Sequence, residues 1–145
     1  MPDPTPTDPT PGDAARHDAG MAVRRAVLGD EHVDRAEAGK TGFTAPFQDF
    51  LTRYAWGEVW DRDGLDRRTR SCVTLAVLTA LRAENEIAMH VRAALRNGLT
   101  RAEIGEVLLH TALYAGLPAA NAAFAIAQRT FTQLDTDDPP PTGAP

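Results

Sequence analysis

Residues 84–118 read ENEIAMHVRAALRNGLTRAEIGEVLLHTALYAGLP, a stretch that contains two helices together with their boundaries. From Glu84 to Asn97 the apolar residues Ile87, Val91, Ala94 and Leu95 recur at helical spacing and so share one side of a helix. Gly98 then supplies the left-handed stop that helices favour. Thr100 and Glu103 form a Thr-x-x-Glu capping box, in which two side chains satisfy the first free N–H groups of a new helix. That helix runs through Ile104, Val107, Leu108 and Thr111 to Tyr114, and Gly116 ends it.

Working outward, Pro118 restarts a last helix, where Ala119, Ala120, Ala122, Ala123, Ala125 and Ala127 flank Phe124 and Ile126 and permit close contact with a neighbour. Upstream, Asp66 is placed to cap a helix whose apolar residues Val73, Leu75, Ala76, Leu78, Ala80 and Leu81 cover so much of its circumference that a central position is expected. Phe47, Phe50, Leu51 and Tyr54 predict a helix starting at Ala45–Pro46 and interrupted at Gly57, with GEVWDRDGLD as a connection. Val23, Val27 and Leu28 predict a short helix ending near Gly29, with His32 to Ala36 continuing after the break. No alternating segment bounded by turns reads as a strand. The sum is one all-α domain over residues 20–134, a compact bundle of roughly five to seven helices.

Of 11 prolines, five lie in residues 1–11 and four in 139–145, among Asp, Thr and Gly; residues 1–19 and 135–145 are expected to be disordered tails. The 145 residues carry 15 Lys plus Arg against 20 Asp plus Glu, a net charge of -5, which argues against a general grip on a phosphate backbone. Cys72 is the only cysteine, so one chain cannot build a disulfide or a Cys-x-x-Cys redox pair. No apolar run reaches the roughly 18 residues that span a bilayer, and the N-terminus lacks the pattern of a secretory signal; a soluble, cytoplasmic protein is expected.

Two histidines stand beside apolar positions. Glu86 and His90 are four apart on one helix, with His90 one residue before Val91, while His110 follows Val107 by three on the next helix and precedes Tyr114 by four. A carboxylate beside a partly buried imidazole favours its charged form and desolvation opposes it, which can tune proton exchange near neutrality. Each histidine alone also reads as an interior residue bonded to a backbone carbonyl, and Glu86, His90 and His110 together would offer three ligands to a divalent ion, without an HExxH pattern. WDRDGLDRRTRS adds Trp60, Arg62 and Arg70 as candidates for holding a carboxylate, against a reading of most of its arginines as a solvated helix start.

VRRAVLGDEHVDRA, WDRDGLDRRTRSCVTLAVLTAL, the Glu86-x-x-x-His90 pair and EIGEVLLHTALYAGLPAANAAFAIA together resemble carboxymuconolactone decarboxylases, over about residues 21–131. The resemblance implies an all-helical fold, a cofactor-independent carboxy-lyase of the protocatechuate branch of aromatic catabolism, and a homo-oligomer, hexamer or trimer. Its implied substrate is a small unsaturated γ-lactone bearing a carboxylate and an acetate arm on the γ carbon. Alkylhydroperoxidase-like relatives use a Cys-x-x-Cys followed by histidine; aligning that histidine with His90 puts Ala83 and Glu86 at the cysteine positions, so peroxidase chemistry loses its nucleophile.

The chemistry implied needs no cofactor, because loss of carbon dioxide leaves electrons that conjugate into the lactone carbonyl. The expected roles are proton delivery by His90 or His110, orientation of His90 by Glu86, a hydrogen bond from the other histidine or Tyr114 to the lactone oxygen, and a fork from Arg62 or Arg70 on the acetate arm, beside Trp60. A non-catalytic helical oligomer or small-ligand binding module, and a lyase for a related lactone, are the alternatives.

Overall fold

The computed structural model describes residues 11–139. The parts of the expected tails at residues 1–10 and 140–145 lie outside the described residues. Helices are the only regular secondary structure among those described, and the chain divides into two compact units at Gly64–Leu65.

The first unit, residues 1–64, contains α1 (Pro11–Leu28), α2 (Asp30–Ala38) and α3 (Ala45–Leu51), the last continued by a π-helical stretch, Thr52–Trp60. α1 begins well inside the segment read as a disordered tail: Arg16 reaches Glu58 at 2.9 Å, a tie across the unit that composition does not reveal. The break after Leu28 falls at Gly29, whose φ of 88° suits glycine. Gly57 does not interrupt its helix. It sits within the π-helical stretch facing α1, where a Cβ would stand 2.5 Å from the Arg16 carbonyl oxygen, and Gly20 on α1 faces the Thr52 carbonyl in the same way. The two helical segments therefore approach backbone to backbone. Arg24 is buried beside them, donating to Gln48 Oε1 at 3.1 Å and Thr52 Oγ1 at 3.4 Å, with Glu37 at 3.8 Å. Burial pulls its pKa below the ordinary value and the Glu37 carboxylate opposes this.

The second unit, residues 65–145, contains α4 (Arg67–Ala80), α5 (Glu84–Arg96), α6 (Arg101–Ala115) and α7 (Leu117–Asp137). Asp66 caps α4 by accepting from the Thr69 N–H at 2.7 Å, and the Thr100–Glu103 box opens α6, both as the sequence predicts. α4 and α7 each pack against both α5 and α6, whereas α5 and α6 touch little. Leu75, Ile87, Val91, Ala94, Leu99, Ile104, Leu108, Ala123 and Ala127 form the core between them. Burying each of the larger aliphatic side chains contributes about 1.5–3 kcal/mol. At the end of the bundle, Asn97 Nδ2 donates to the buried Ser71 Oγ at 2.9 Å and links the end of α5 to the start of α4.

α4 departs from expectation. Ser71, Leu75 and Thr79 are its buried stripe, while Val73, Val77 and Leu81 on other faces are exposed, at 51%, 48% and 73%. An apolar circumference records what a helix can bury, and this chain alone buries only part of it.

Candidate active site

A hollow of about 570 Å³ opens between α4 and α6, within the size range of small-molecule sites. Cys72, Val73 and Ala76 form one wall; Glu106, Val107, Leu109, His110, Thr111 and Leu113 form the other. Among the described residues that line it, His110 is the only imidazole and Glu106 the only carboxylate, and there is no Lys or Arg. The ring of Tyr114, one turn further along α6, stands 5.4 Å from that of His110, tilted by 39°. Burial pushes the Cys72 thiol above its ordinary pKa, so it is held protonated at neutral pH, a poor nucleophile.

His110 is exposed rather than set into the core. The reason is angular: the buried stripe of α6 is Ile104, Leu108 and Thr111, and a residue two positions past Leu108 points nearly opposite to it. Counting from Val107, which is only half-buried, had placed His110 too far inward.

His90 is half-buried on α5, at the edge of the Ile87–Val91 stripe, with its Nδ1 buried. Glu86, one turn earlier, is exposed and lines a separate shallow hollow with Arg82, Ala83, Glu84 and Asn85. The lining of the α4/α6 hollow includes neither residue. Consecutive helices need not be packed neighbours, and here α4 and α7 do the packing that α5 and α6 were expected to do with each other. Among the described residues no group of three His, Cys, Asp or Glu is placed to hold a metal ion, so the three-ligand reading of Glu86, His90 and His110 is not supported.

The arginines and Trp60 fall in different units. Arg70 lies in the first turn of α4, half-buried, with a buried Nε. Trp60 ends the π-helical stretch of the first unit and packs on Trp56, ring centres 5.3 Å apart, which is the packing role that competes with a ligand platform. Arg62 follows it in the exposed turn.

Glu106 and Cys72 were not singled out as site residues from the sequence. Glu106 had a usable signal, since it precedes His110 by four on the same helix, the spacing already noted for Glu86 and His90. Cys72 had none, because membership of the hollow depends on how α4 packs.

No helix among the described residues is long and apolar enough to cross a membrane. The Carboxymuconolactone decarboxylase family matches residues 45–129. The chain is 51% identical to the 4-carboxymuconolactone decarboxylase of Acinetobacter baylyi over 122 residues, 84% of this chain and 91% of the relative. It is 43% identical to the nitrosuccinic acid decarboxylase npaB of Metarhizium robertsii over 117 residues, 81% and 82% of the two chains. A 4-carboxymuconolactone decarboxylase sequence from Pseudomonas putida matches at 56% identity over 43 residues, 30% of this chain and 90% of that one. With more than half of its length matched by the family and two decarboxylases similar to it over most of their lengths, the chain belongs to the carboxymuconolactone decarboxylase family.

Proposed function

We propose that the chain is a cytoplasmic, cofactor-independent carboxy-lyase that converts 4-carboxymuconolactone to β-ketoadipate enol-lactone in protocatechuate catabolism. The observation that carries this reading is the α4/α6 hollow, an apolar cleft with one imidazole and no Lys or Arg, in a chain 51% identical to a decarboxylase of that name. The bond from the γ carbon to its carboxylate breaks, carbon dioxide leaves, and the electron pair moves through the ring double bond to the lactone carbonyl oxygen. A proton then adds at the α carbon and the double bond ends one position over. One proton is taken up for each carbon dioxide released.

The protein's tasks are to hold the leaving carboxylate out of the ring plane, to stabilise the dienolate and to deliver the proton. A largely apolar, cation-poor hollow suits the first, because a cation gripping the departing carboxylate would stabilise the reactant instead. We assign the proton to His110, with Tyr114 beside it for the lactone oxygen. Arg70, in the first turn of α4 and outside the lining of the hollow, is assigned the acetate arm, and His90, four residues after Glu86 on α5, is the alternative proton donor. The exposed apolar residues Val73, Val77 and Leu81 on α4 and Leu109 and Leu113 on α6 support a homo-oligomer, trimer or hexamer.

The identity with the nitrosuccinic acid decarboxylase favours a second reading, a nitro-substituted succinate as substrate. There the nitro group would accept the electron pair as a nitronate, and a second carboxylate again sits one carbon from the reacting centre. The test is carbon dioxide release from freshly generated 4-carboxymuconolactone and from nitrosuccinate, each with and without a chelator. Rapid, chelator-insensitive release from the lactone is expected; release from nitrosuccinate alone would replace the first reading with the second, and release from neither would overturn both.

A further inference from the structure

We propose that the substrate enters the α4/α6 hollow with its reacting γ-carboxylate against a floor made by Cys72, Ala76, Val107 and Thr111, and with its acetate arm at the mouth. This orientation rests on the decarboxylase reading and names how that site tells its substrate's two carboxylates apart. The lining divides by depth. Thr111 is buried and Cys72, Ala76 and Val107 are half-buried, whereas Glu106, His110 and the rest of the lining are exposed. The floor offers no strong hydrogen-bond donor. Ala76 and Val107 are apolar, the Thr111 hydroxyl already donates to the Val107 carbonyl at 2.7 Å, and the Cys72 thiol, kept neutral by burial, donates only weakly.

A carboxylate set against such a floor loses hydration and gains no partner, so its free energy rises, and contacts of the ring and the acetate arm hold it there. Breaking its bond to the γ carbon removes the cause. Carbon dioxide leaves as a neutral molecule, and the electron pair passes through the ring double bond to the lactone carbonyl oxygen, on the side of His110. The reverse orientation would leave the reacting carboxylate hydrated at the mouth, where water stabilises the reactant. Glu106 stands at that exposed mouth, and solvent there screens its repulsion of the acetate arm.

The test uses the full chain as wild type, Ala76→Asn and Ala76→Leu, two new side chains of similar size of which only Asn brings N–H donors to the floor. Turnover of the lactone gives kcat and KM. Calorimetry gives the binding of two non-reacting analogues: the saturated-ring lactone, which keeps both carboxylates and lacks the electron sink, and the lactone with hydrogen in place of the γ-carboxylate. Relative to Ala76→Leu, Ala76→Asn should lower KM and kcat by about tenfold each and leave kcat/KM within about threefold, because the added hydrogen bond holds the reactant and is lost as carbon dioxide forms. It should tighten the saturated lactone by a similar factor and leave the γ-hydrogen lactone unchanged. A lowered KM with unchanged kcat, or equal tightening of both analogues, would set the acetate arm on the floor and overturn the proposal, as would two variants that behave alike. In the wild type the γ-hydrogen lactone should bind more tightly than the saturated dicarboxylate, and the opposite order overturns the proposal even if neither variant folds. A wild type that releases no carbon dioxide from the lactone overturns the decarboxylase reading, while the order of the analogues still decides which carboxylate the floor meets.

Discussion

Arg68, in the first turn of α4, donates both guanidinium NH2 groups to the Glu103 carboxylate, the same carboxylate that closes the capping box of α6. Arg68 also donates to the Gly98 carbonyl at 2.6 Å, so one side chain ties the start of α4 to the α5–α6 turn. The guanidinium and the Thr100 N–H together hold Glu103 down from 4.5 to about 2.

That depression gives a pH signature. A carboxyl whose folded pKa lies below its unfolded value stabilises the fold fully above the unfolded value, and the stabilisation is lost as pH falls through the folded one. For Glu103 the window runs from about pH 4.5 down to about pH 2. Glu103→Gln keeps a side chain that can cap but removes the charge. Its melting temperature should lie below that of wild type at pH 6, and the gap should close as the pH approaches 2. Thermal denaturation of the two proteins across that range checks this; a gap independent of pH would show that the ion pair is not its source.

Two glycines should respond to alanine in opposite directions. At Gly57 a Cβ would meet the Arg16 carbonyl at 2.5 Å, and backbone cannot swing aside as a flexible side chain can. Gly57→Ala should cost about 1–3 kcal/mol. Gly105, in the middle of α6, has nothing within 4 Å of its added Cβ. Gly105→Ala should stabilise by about 0.5–1 kcal/mol through helix propensity. Urea unfolding of both variants measures the contrast.

Arg82 is the only non-glycine with positive φ among the described residues, at 55°, where α4 turns into α5. The turn is closed by the Arg82 N–H on the Thr79 carbonyl and the Ala83 N–H on the Leu78 carbonyl, an ending in which glycine is usual. Relief of roughly 1–2 kcal/mol of left-handed strain exceeds the roughly 0.4–1 kcal/mol that glycine costs through the unfolded chain. Arg82→Gly should therefore raise stability by about 0.5–1 kcal/mol, and Arg82→Ala, which keeps the strain, should not.

His110→Gln should lower kcat by about 10²–10⁴-fold with the circular dichroism spectrum unchanged. His90→Gln separates two roles for the α5 pair. A loss of the same size would make His90 part of the proton path, and an activity near wild type would leave it a half-buried structural residue. Wild-type turnover in both variants would remove histidine from the mechanism.

The exposed valine and leucine on α4 provide the test of assembly. Val77→Asp and Leu81→Asp place charges on a face that is otherwise apolar, and a charge buried without a partner at an interface is strongly unfavourable. Light scattering on the separated species should show the oligomer shifted to smaller forms. An unchanged mass would mean that this face is not the contact between copies.

Helix starts and stops were legible in the chain itself. Asp66, Thr100 with Glu103, Gly98, Gly116 and Pro118 act through bonds and backbone preferences spanning a few residues, so their effect does not wait for the rest of the fold. The family was legible for a related reason, since it rests on several such local segments in fixed order. Tertiary packing decided the rest. It made Gly57 a contact point with α1 instead of a helix end, extended α1 back to Pro11, and left Val73, Val77 and Leu81 of α4 uncovered. It also set His110 in a hollow with Glu106 and Cys72, apart from Glu86. Helical spacing states which residues share a side of one helix, but which helix lies against that side depends on the fit of all four helices at once.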